Sequence, residues 1–217
     1  MISPHTFALA HGLLREDPQY ARIPEADRDA LVTMALAEGR TQAQAVRLRW
    51  GSDPDVIAGR CGVPVLDDDD GADYGTTVVF AEYFTRPARI VLHRPAIRRV
   101  DAVLDTQALG GSTTRSVFLA HELFHHLDCT GPQPSLARRH RVTVLALGRW
   151  RWTAGLSSLA EIAAGAFAQQ LLGLPVHPRF CELALRESTG RLHPPRFANP
   201  RASAAHQTTH PTHSSCG

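Results

Sequence analysis

The sequence lacks lysine, long apolar runs and paired cysteines. All 23 basic residues of the 217-residue chain are arginine, which is typical of a GC-rich bacterial genome and excludes no class of function. No apolar run approaches the roughly 20 residues of a membrane-spanning helix, and the first residues lack the basic start and apolar stretch of a secretory signal. We therefore expect a cytoplasmic protein without a membrane partner.

The cysteine pattern and the charge exclude two further classes. Cys61, Cys129, Cys181 and Cys216 are widely scattered and form no CxxC pair, so we predict free thiols rather than a disulfide frame. Cys129 follows His125 by four residues, and we interpret it as a partly buried thiol at a helix end. The net charge of +2 is too small to indicate a nucleic-acid-binding surface.

The length suits one well-buried domain with a tail. Residues 1–20 form a poorly patterned N-terminal segment, and residues 21–190 form a single domain. Residues 191–217 are rich in Pro, Ser, Thr and His and carry no apolar period. Such a composition predicts a disordered C-terminal tail.

Apolar spacing, caps and breakers predict mostly helices. In chain order, we expect them from Pro24 to Gly39, from Thr41 to Trp50, from Pro54 to Gly62, from Pro95 to Leu104, from Thr113 to Leu127, from Ser135 to Leu147, from Ser158 to Leu172 and from Pro178 to Gly190.

Short β-branched runs predict three strands, at residues 63–66, Thr76 to Tyr83 and Ala88 to His93. The last two form an antiparallel hairpin. The acidic run from Asp67 to Asp70 is interpreted as a solvated turn, because it lacks the spaced oxygen ligands of a calcium loop. The predicted fold is α+β, with a small antiparallel sheet packed on a helical core.

The segment His121-Glu122-Leu123-Phe124-His125 lies inside one of the predicted helices. Residues i and i+4 share a helix face, so His121 and His125 can offer two imidazoles to one ion. Glu122 lies beside the first histidine, where its carboxylate can contact water rather than the metal. This is the H-E-x-x-H pattern of zinc hydrolases. In a chain of this composition, the expected number of chance occurrences of the pattern is only roughly 0.02.

A catalytic zinc site usually has three protein ligands and one open position. The candidates for the third ligand are Asp128, His140, Glu161, His177 and Glu182.

Glu161 is the candidate with most support, yet the residues leave it undecided. It lies on a helix face with Ala164, Gly165 and Ala168, which is small enough for another helix to approach closely. However, Ser158 to Glu161 also matches a capping box, in which Glu161 would bond the Ser158 backbone N–H.

Together these segments resemble the ImmA/IrrE-type metallopeptidases over roughly residues 50–175. Residues 55–65 are similar to the first helix and strand of that family, and residues 89–92 to the strand before its active-site helix. Residues 119–125 and 161–172 are similar to its zinc helix and ligand helix.

The resemblance implies a zincin-like peptidase with one Zn²⁺ held by His121, His125 and Glu161, and with Glu122 as the general base. It further implies cleavage of an intracellular protein or peptide, such as a helix-turn-helix repressor or an antitoxin. We expect an extended substrate along the Ala88 to His93 strand, as an edge strand.

The oxyanion donor is left open among Tyr83, His126 and His140. His126 can equally be a residue that supports the metal ligands or lies on the surface.

Two features depart from the family pattern. Phe124 stands where the family commonly has glycine, and residues 130–156 are longer than the usual link between the two helices. This link includes Arg149-Trp150-Arg151-Trp152. Three roles are left open for it: it covers the cleft, it docks a partner, or it is a surface helix-loop whose arginines lie over tryptophan.

Two rival functions remain at this point. One is a catalytically silent zinc-containing module that binds or regulates another protein, although the intact Glu122 favours an enzyme. The other is DNA binding, because residues 53–65 also resemble the first half of a helix-turn-helix. We expect no direct nucleic-acid contact, since residues typical of a strand follow where a recognition helix would be.

Overall fold

A computed structural model describes residues 2–70, 73–74 and 77–189. The chain has an α+β fold dominated by helices, and two single 3₁₀ turns lie at Tyr20–Arg22 and Thr106–Leu109. In chain order the helices are α1 (Pro4–Arg15), α2 (Glu25–Trp50), α3 (Pro54–Cys61), α4 (Arg94–Asp101), α5 (Thr114–Thr130), α6 (Leu136–Arg139), α7 (Ser157–Leu172) and α8 (Arg179–Thr189).

Among the described residues, the strands are short and form three separate sheets. In chain order they are β1 (Val65–Asp68), β2 (Asp73–Tyr74), β3 (Thr77–Val78), β4 (Ala81–Thr85), β5 (Ala88–His93), β6 (Arg141–Leu147) and β7 (Trp150–Gly155). The largest sheet has the order β1-β5-β4, while β2 pairs with β3 and β6 with β7.

The three-stranded sheet is mixed rather than antiparallel. Its β4–β5 pair is antiparallel, as the predicted hairpin is, but the strand expected from Thr76 to Tyr83 is divided between β3 and β4. The strand β1 runs parallel to β5, with Val65 opposite Ile90. Therefore β5 lies in the centre, and the prediction of residues 88–93 as an edge strand is wrong. The local sequence could not show this, because parallel pairing depends on where the chain returns after a long connection.

The helix α2 is continuous where two helices were expected. The sequence predicts a helix end at Gly39 and a new N-cap at Thr41, but the helix continues to Trp50 and ends at Gly51, which has a φ of 87°. Gly39 has a different role, since a methyl group there would collide with the carbonyl oxygen of Ala163 on α7. Glycine thus lets α2 and α7 pack closely.

The N-terminal segment is an ordered helix, although its sequence suggested little pattern. Ser3 caps α1 by accepting a hydrogen bond from the Thr6 backbone N–H. The side chains of Ala10, Leu13 and Leu14 are buried in the same hydrophobic core as those of α2, α5 and α7. Our expectation missed α1 because a short helix needs tertiary contacts more than propensity.

Residues 130–156 contain a hairpin instead of the helix predicted from Ser135 to Leu147. Only α6 is helical, and β6 and β7 follow it as an antiparallel pair joined at Gly148, which has a φ of 56°. β-branched residues early in β6 favour extended backbone, and the helical spacing of the apolar residues was too weak to outweigh them.

The remaining helices agree with the predictions within a few residues at each end. The helix predicted from Pro178 corresponds to α8, and the one predicted from Ser158 corresponds to α7. The tail expected at 191–217 lies outside the described residues. None of the described helices is long and apolar enough to cross a bilayer.

Candidate metal centre

The helix α5 presents two of its three histidines, His121 and His125, on one side. Thr113 caps its first turn by accepting a hydrogen bond from the Ser116 backbone N–H. The Nε2 atoms of His121 and His125 then lie 3.2 Å apart, one helical turn from each other. Leu119 and Leu123 are fully buried beside them, so the hydrophobic core fixes the orientation of the helix.

The helix α7 brings a carboxylate to the same point. Glu161 Oε2 lies 3.1 Å from His121 Nε2, and Glu161 Oε1 lies 3.4 Å from His125 Nε2. Within the described part of the chain, this is the one group of three or more potential metal-binding side chains whose donor atoms all lie within 4.8 Å of one another.

The donor atoms of the three residues lie about as far apart as the ligands of one zinc ion. Tetrahedral ligands about 2.0–2.1 Å from zinc lie about 3.3–3.4 Å from one another. The two Nε2 atoms are 3.2 Å apart, while His121 Nε2 lies 3.1 Å from Glu161 Oε2 and His125 Nε2 lies 3.4 Å from Glu161 Oε1. These distances involve both carboxylate oxygens and fit three residues grouped around one ion. Two imidazoles and a carboxylate are also a ligand set that zinc hydrolases use, so the residues fit the metal.

The arrangement leaves a side of the site open to solvent. The side chains of His121, His125 and Glu161 are 20%, 18% and 26% exposed. This exposure provides access for water and for a substrate group at the position that the three residues do not fill.

The charges of the three residues support one another. Burial alone would lower the pKa of His125, but the Glu161 carboxylate raises it to about 9. Burial alone would raise the pKa of Glu161. The effect of His125 and His121 is larger and holds that pKa far below its usual value. A carboxylate that stays ionised beside two imidazoles is suited to a divalent cation.

The position of Glu161 depends on a cap from the N-terminal region. The Ser158 backbone N–H donates to Asp17 Oδ2 over 3.0 Å, and Asp17 is only 4% exposed. Since Asp17 supplies the cap, the capping-box interpretation of Glu161 is wrong. The Glu161 carboxylate is turned toward α5 instead.

The departure at Phe124 has a structural explanation. Phe124 is fully buried, and its ring centroid lies 5.8 Å from that of Phe167 on α7. The phenyl ring thus fills the contact between the two helices that carry the candidate ligands.

Glu122 has the environment of a general base. It is 9% exposed, and this burial raises the pKa of its carboxyl group, although the neighbouring His125 and His121 oppose the rise. A carboxylate with a raised pKa accepts a proton more readily near neutral pH.

His126 and Tyr83 form a contact between α5 and β4. His126 Nδ1 lies 3.2 Å from the Tyr83 hydroxyl, and the ring also hydrogen-bonds to the backbone of Cys61. Burial lowers the pKa of His126, so the neutral ring is favoured. Because its Nδ1 atom is engaged with Tyr83 within the protein, a positioning role is favoured over contact with an oxyanion.

The other candidates for the third ligand lie elsewhere. Asp128 accepts a hydrogen bond from the Leu136 backbone N–H, and Glu182 pairs with Arg179. His177 is buried against Gly165. His140 follows α6 at the base of the β6–β7 hairpin, where burial and Arg139 lower its pKa.

Three cysteines are free thiols, as predicted. Cys61 is partly buried and Cys181 is buried, whereas Cys129 is exposed rather than partly buried. Cys216 lies outside the described residues.

A buried histidine on the sheet was missed in the sequence. His93 is 5% exposed, and its Nδ1 and Nε2 atoms lie 2.8 Å from Asp68 and 3.2 Å from Glu82. The parallel register that places Asp68 opposite His93 was the missing information.

The acidic run is largely solvated, as expected, since Asp67, Asp69 and Asp70 are exposed. Its first two residues nevertheless belong to β1 rather than to a turn. Asp68 bonds to His93, Asp69 pairs with Arg94 and Asp67 with Arg115. These partners offset part of its charge.

Comparisons with known proteins add no relative. No family model matches the chain, and neither a search of curated proteins nor a search of solved structures gives a match. The resemblance to ImmA/IrrE-type peptidases therefore remains a prediction from the sequence.

Proposed function

We propose that this protein is a zinc-dependent peptidase with a zincin-like core. The observation that carries the proposal is the group of His121, His125 and Glu161, whose donor atoms all lie within 4.8 Å of one another and make contacts of 3.1–3.4 Å. The carboxylate of Glu122 lies next to it on the same helix. A structural pair of core histidines would require neither the third donor nor this second carboxylate.

Each residue has a defined task in the proposed reaction. His121, His125 and Glu161 hold the metal. When bound, zinc supplies a Lewis acid that acidifies water and polarises the peptide carbonyl. Glu122 takes a proton from the attacking water and passes it to the leaving amine.

The edge strand β4 is the proposed site of the substrate backbone. It lies at one side of the β1-β5-β4 sheet, and Tyr83 joins it to α5 through His126. An extended peptide could add to this edge through main-chain hydrogen bonds. Because β5 is central, β4 replaces it in this role.

The proposed substrate is a protein or peptide inside the cell. The resemblance in the sequence favours a regulatory protein such as a helix-turn-helix repressor or an antitoxin. Direct DNA binding is not supported, because α3 is followed by β1 and not by a recognition helix.

The substitution Glu122→Gln tests the enzyme against the silent zinc module. We expect the variant to retain zinc and to lose about 10²–10⁴-fold in peptide cleavage, since only the proton transfer is removed. Metal analysis and the N-termini of proteins from cells that express either form would measure both effects. The matched control is Glu187→Gln on the exposed end of α8, which should change neither.

Retention of zinc with identical cleavage products in wild type and Glu122→Gln would contradict the enzymatic role. That result would favour the alternative, a catalytically silent zinc-containing module.

A further inference from the structure

The β6–β7 hairpin carries an unusual apolar surface. Opposite residues of an antiparallel pair share a face, and Leu145 lies opposite Trp152, with Leu147 opposite Trp150. These four side chains, here called the apolar hairpin face, are 55%, 55%, 68% and 62% exposed in that order. Together they expose on the order of 500 Å² of apolar surface, which is the size at which a patch indicates an interaction site.

The other surfaces of the hairpin are basic. Arg151 lies opposite Ala146 on the second face, where Arg141 donates to Thr153, and Arg149 lies at the turn. All three arginines are exposed. The sequence from residue 129 to residue 160 contains no acidic residue.

We propose that this hairpin docks on the surface of an anionic lipid bilayer. Tryptophan and leucine on one face can enter the boundary between headgroups and acyl chains. Arginines at the turn and on the other face can meet the negative headgroups. The absence of a membrane-spanning apolar run predicted no membrane partner, but a peripheral contact with a bilayer does not require such a run.

The exposed area argues against a second copy of the chain as the occupant. A specific protein–protein interface buries about 800 Å² on each partner. The apolar hairpin face provides roughly 500 Å², which is less than such an interface requires.

The C-terminal tail is also poorly suited to cover this face. Residues 190–217 contain Arg191, Arg196 and Arg201 and no acidic residue. The tail and the hairpin thus carry charge of the same sign, which disfavours their association.

Single-stranded nucleic acid suits the geometry less well than a bilayer. Proteins that bind it combine a basic groove with aromatic side chains that stack on the bases. Here Trp152 and Arg151 are successive residues of β7 and point to opposite faces. A planar boundary between an apolar and an anionic phase matches this separation.

Vesicle binding by the full chain, loaded with zinc, tests the proposal. We expect the protein to cosediment with vesicles of phosphatidylcholine and phosphatidylglycerol in equal parts, and to bind pure phosphatidylcholine much more weakly. Two of the three tryptophans lie on the hairpin, so binding should shift tryptophan emission to the blue.

Three variants separate the contributions of the tryptophans and of the arginines to vesicle binding. The double substitution Trp150→Ser with Trp152→Ser should abolish binding. The pair Arg149→Ser and Arg151→Ser should weaken it on the order of thirtyfold, because each arginine near an anionic surface contributes about a factor of five. The control, Leu48→Ser with Val56→Ser, removes exposed apolar side chains elsewhere and should bind like wild type.

Several results would overturn the proposal. They are equal binding to neutral vesicles, equal loss of binding in the control variant, and binding to single-stranded DNA or concentration-dependent dimerisation in place of vesicle binding. Zinc content and circular dichroism confirm that each variant is folded. The proposal does not depend on peptidase activity, so Glu122→Gln should bind vesicles as wild type does.

Discussion

Glu161 determines whether His121 and His125 of α5 can form a metal centre. Its carboxylate lies within 3.1–3.4 Å of both Nε2 atoms, yet Glu161 follows His121 by 40 residues in the chain. The cap that Asp17 gives to Ser158 leaves Glu161 free for this contact. Asp17, in the N-terminal region, thus decides whether Glu161 is interpreted as a helix cap or as a candidate metal ligand.

At the same scale, His93 links three strands through charge. Burial opposes its charged form, but the hydrogen bonds to Glu82 and Asp68 outweigh burial and raise the pKa of His93 above 6.5. The two carboxylates lie on β4 and β1. A protonated His93 therefore holds both edge strands to the central one.

The substitution His93→Gln should reveal this link through its pH dependence. Because the pKa is raised on folding, the contribution of His93 is fully present below pH 6.5 and is lost as the pH rises through the pKa of the folded state. We expect the variant to have an unfolding free energy about 1–3 kcal/mol lower at pH 6, with a smaller difference at pH 9.

Denaturant titrations of both proteins at the two pH values measure that difference. His11→Gln provides the control, because its partner Asp29 is 80% exposed and such surface pairs contribute about 0–1 kcal/mol. If the loss of unfolding free energy caused by His93→Gln were constant or grew with pH, protonation of His93 would not be what holds the strands together.

At the scale of elements, the contact between α2 and α7 is set by one glycine. A methyl group at Gly39 would collide with the Ala163 carbonyl oxygen, and α7 carries Glu161. We therefore expect Gly39→Ala to lower the unfolding free energy by about 1–3 kcal/mol, despite the gain of about 1 kcal/mol in helix propensity. It should also weaken zinc binding.

Gly12→Ala is the matched control on α1, because nothing lies within 4 Å of the added methyl group. Thermal or chemical unfolding should find it as stable as wild type, or up to about 1 kcal/mol more stable. If Gly39→Ala behaved in the same way, the proposed close contact between α2 and α7 would be wrong.

Elements with strong local signals were predicted well. The apolar spacing around His121 and His125 identified α5, and the Thr-Arg-Pro turn at residues 85–87 with its β-branched neighbours identified the β4–β5 hairpin. Elements whose structure depends on contacts with residues distant in the sequence were predicted poorly. The parallel pairing of β1 with β5 and the strand β6 in place of a helix arise from contacts that no local pattern contains.

At the scale of the whole molecule, one hydrophobic core holds both halves of the candidate metal centre. The buried residues of α1, α2, α5 and α7 form a single cluster. The helix α5 supplies two candidate donors, His121 and His125, and α7 supplies the third, Glu161. The β6–β7 hairpin lies between these helices in the sequence, so the candidate membrane contact and the candidate metal centre share one connection.

The sequence could identify one half of the site more securely than the other. His121, Glu122 and His125 follow from spacing on one helix. Glu161 needed a resemblance to be preferred, because its approach to α5 requires Gly39 and Asp17, which are more than 100 residues away in the chain. Long-range packing, and not residue chemistry, limited the prediction.

X-ray absorption at the zinc edge, on protein purified without chelator, tests the central claim most directly. We predict one zinc per chain, bound by two imidazoles and by oxygen ligands at about 2.0–2.2 Å, and loss of the carboxylate contribution in Glu161→Gln. Protein that binds no zinc, or a spectrum with sulfur at about 2.3 Å from a cysteine, would contradict the assignment of His121, His125 and Glu161.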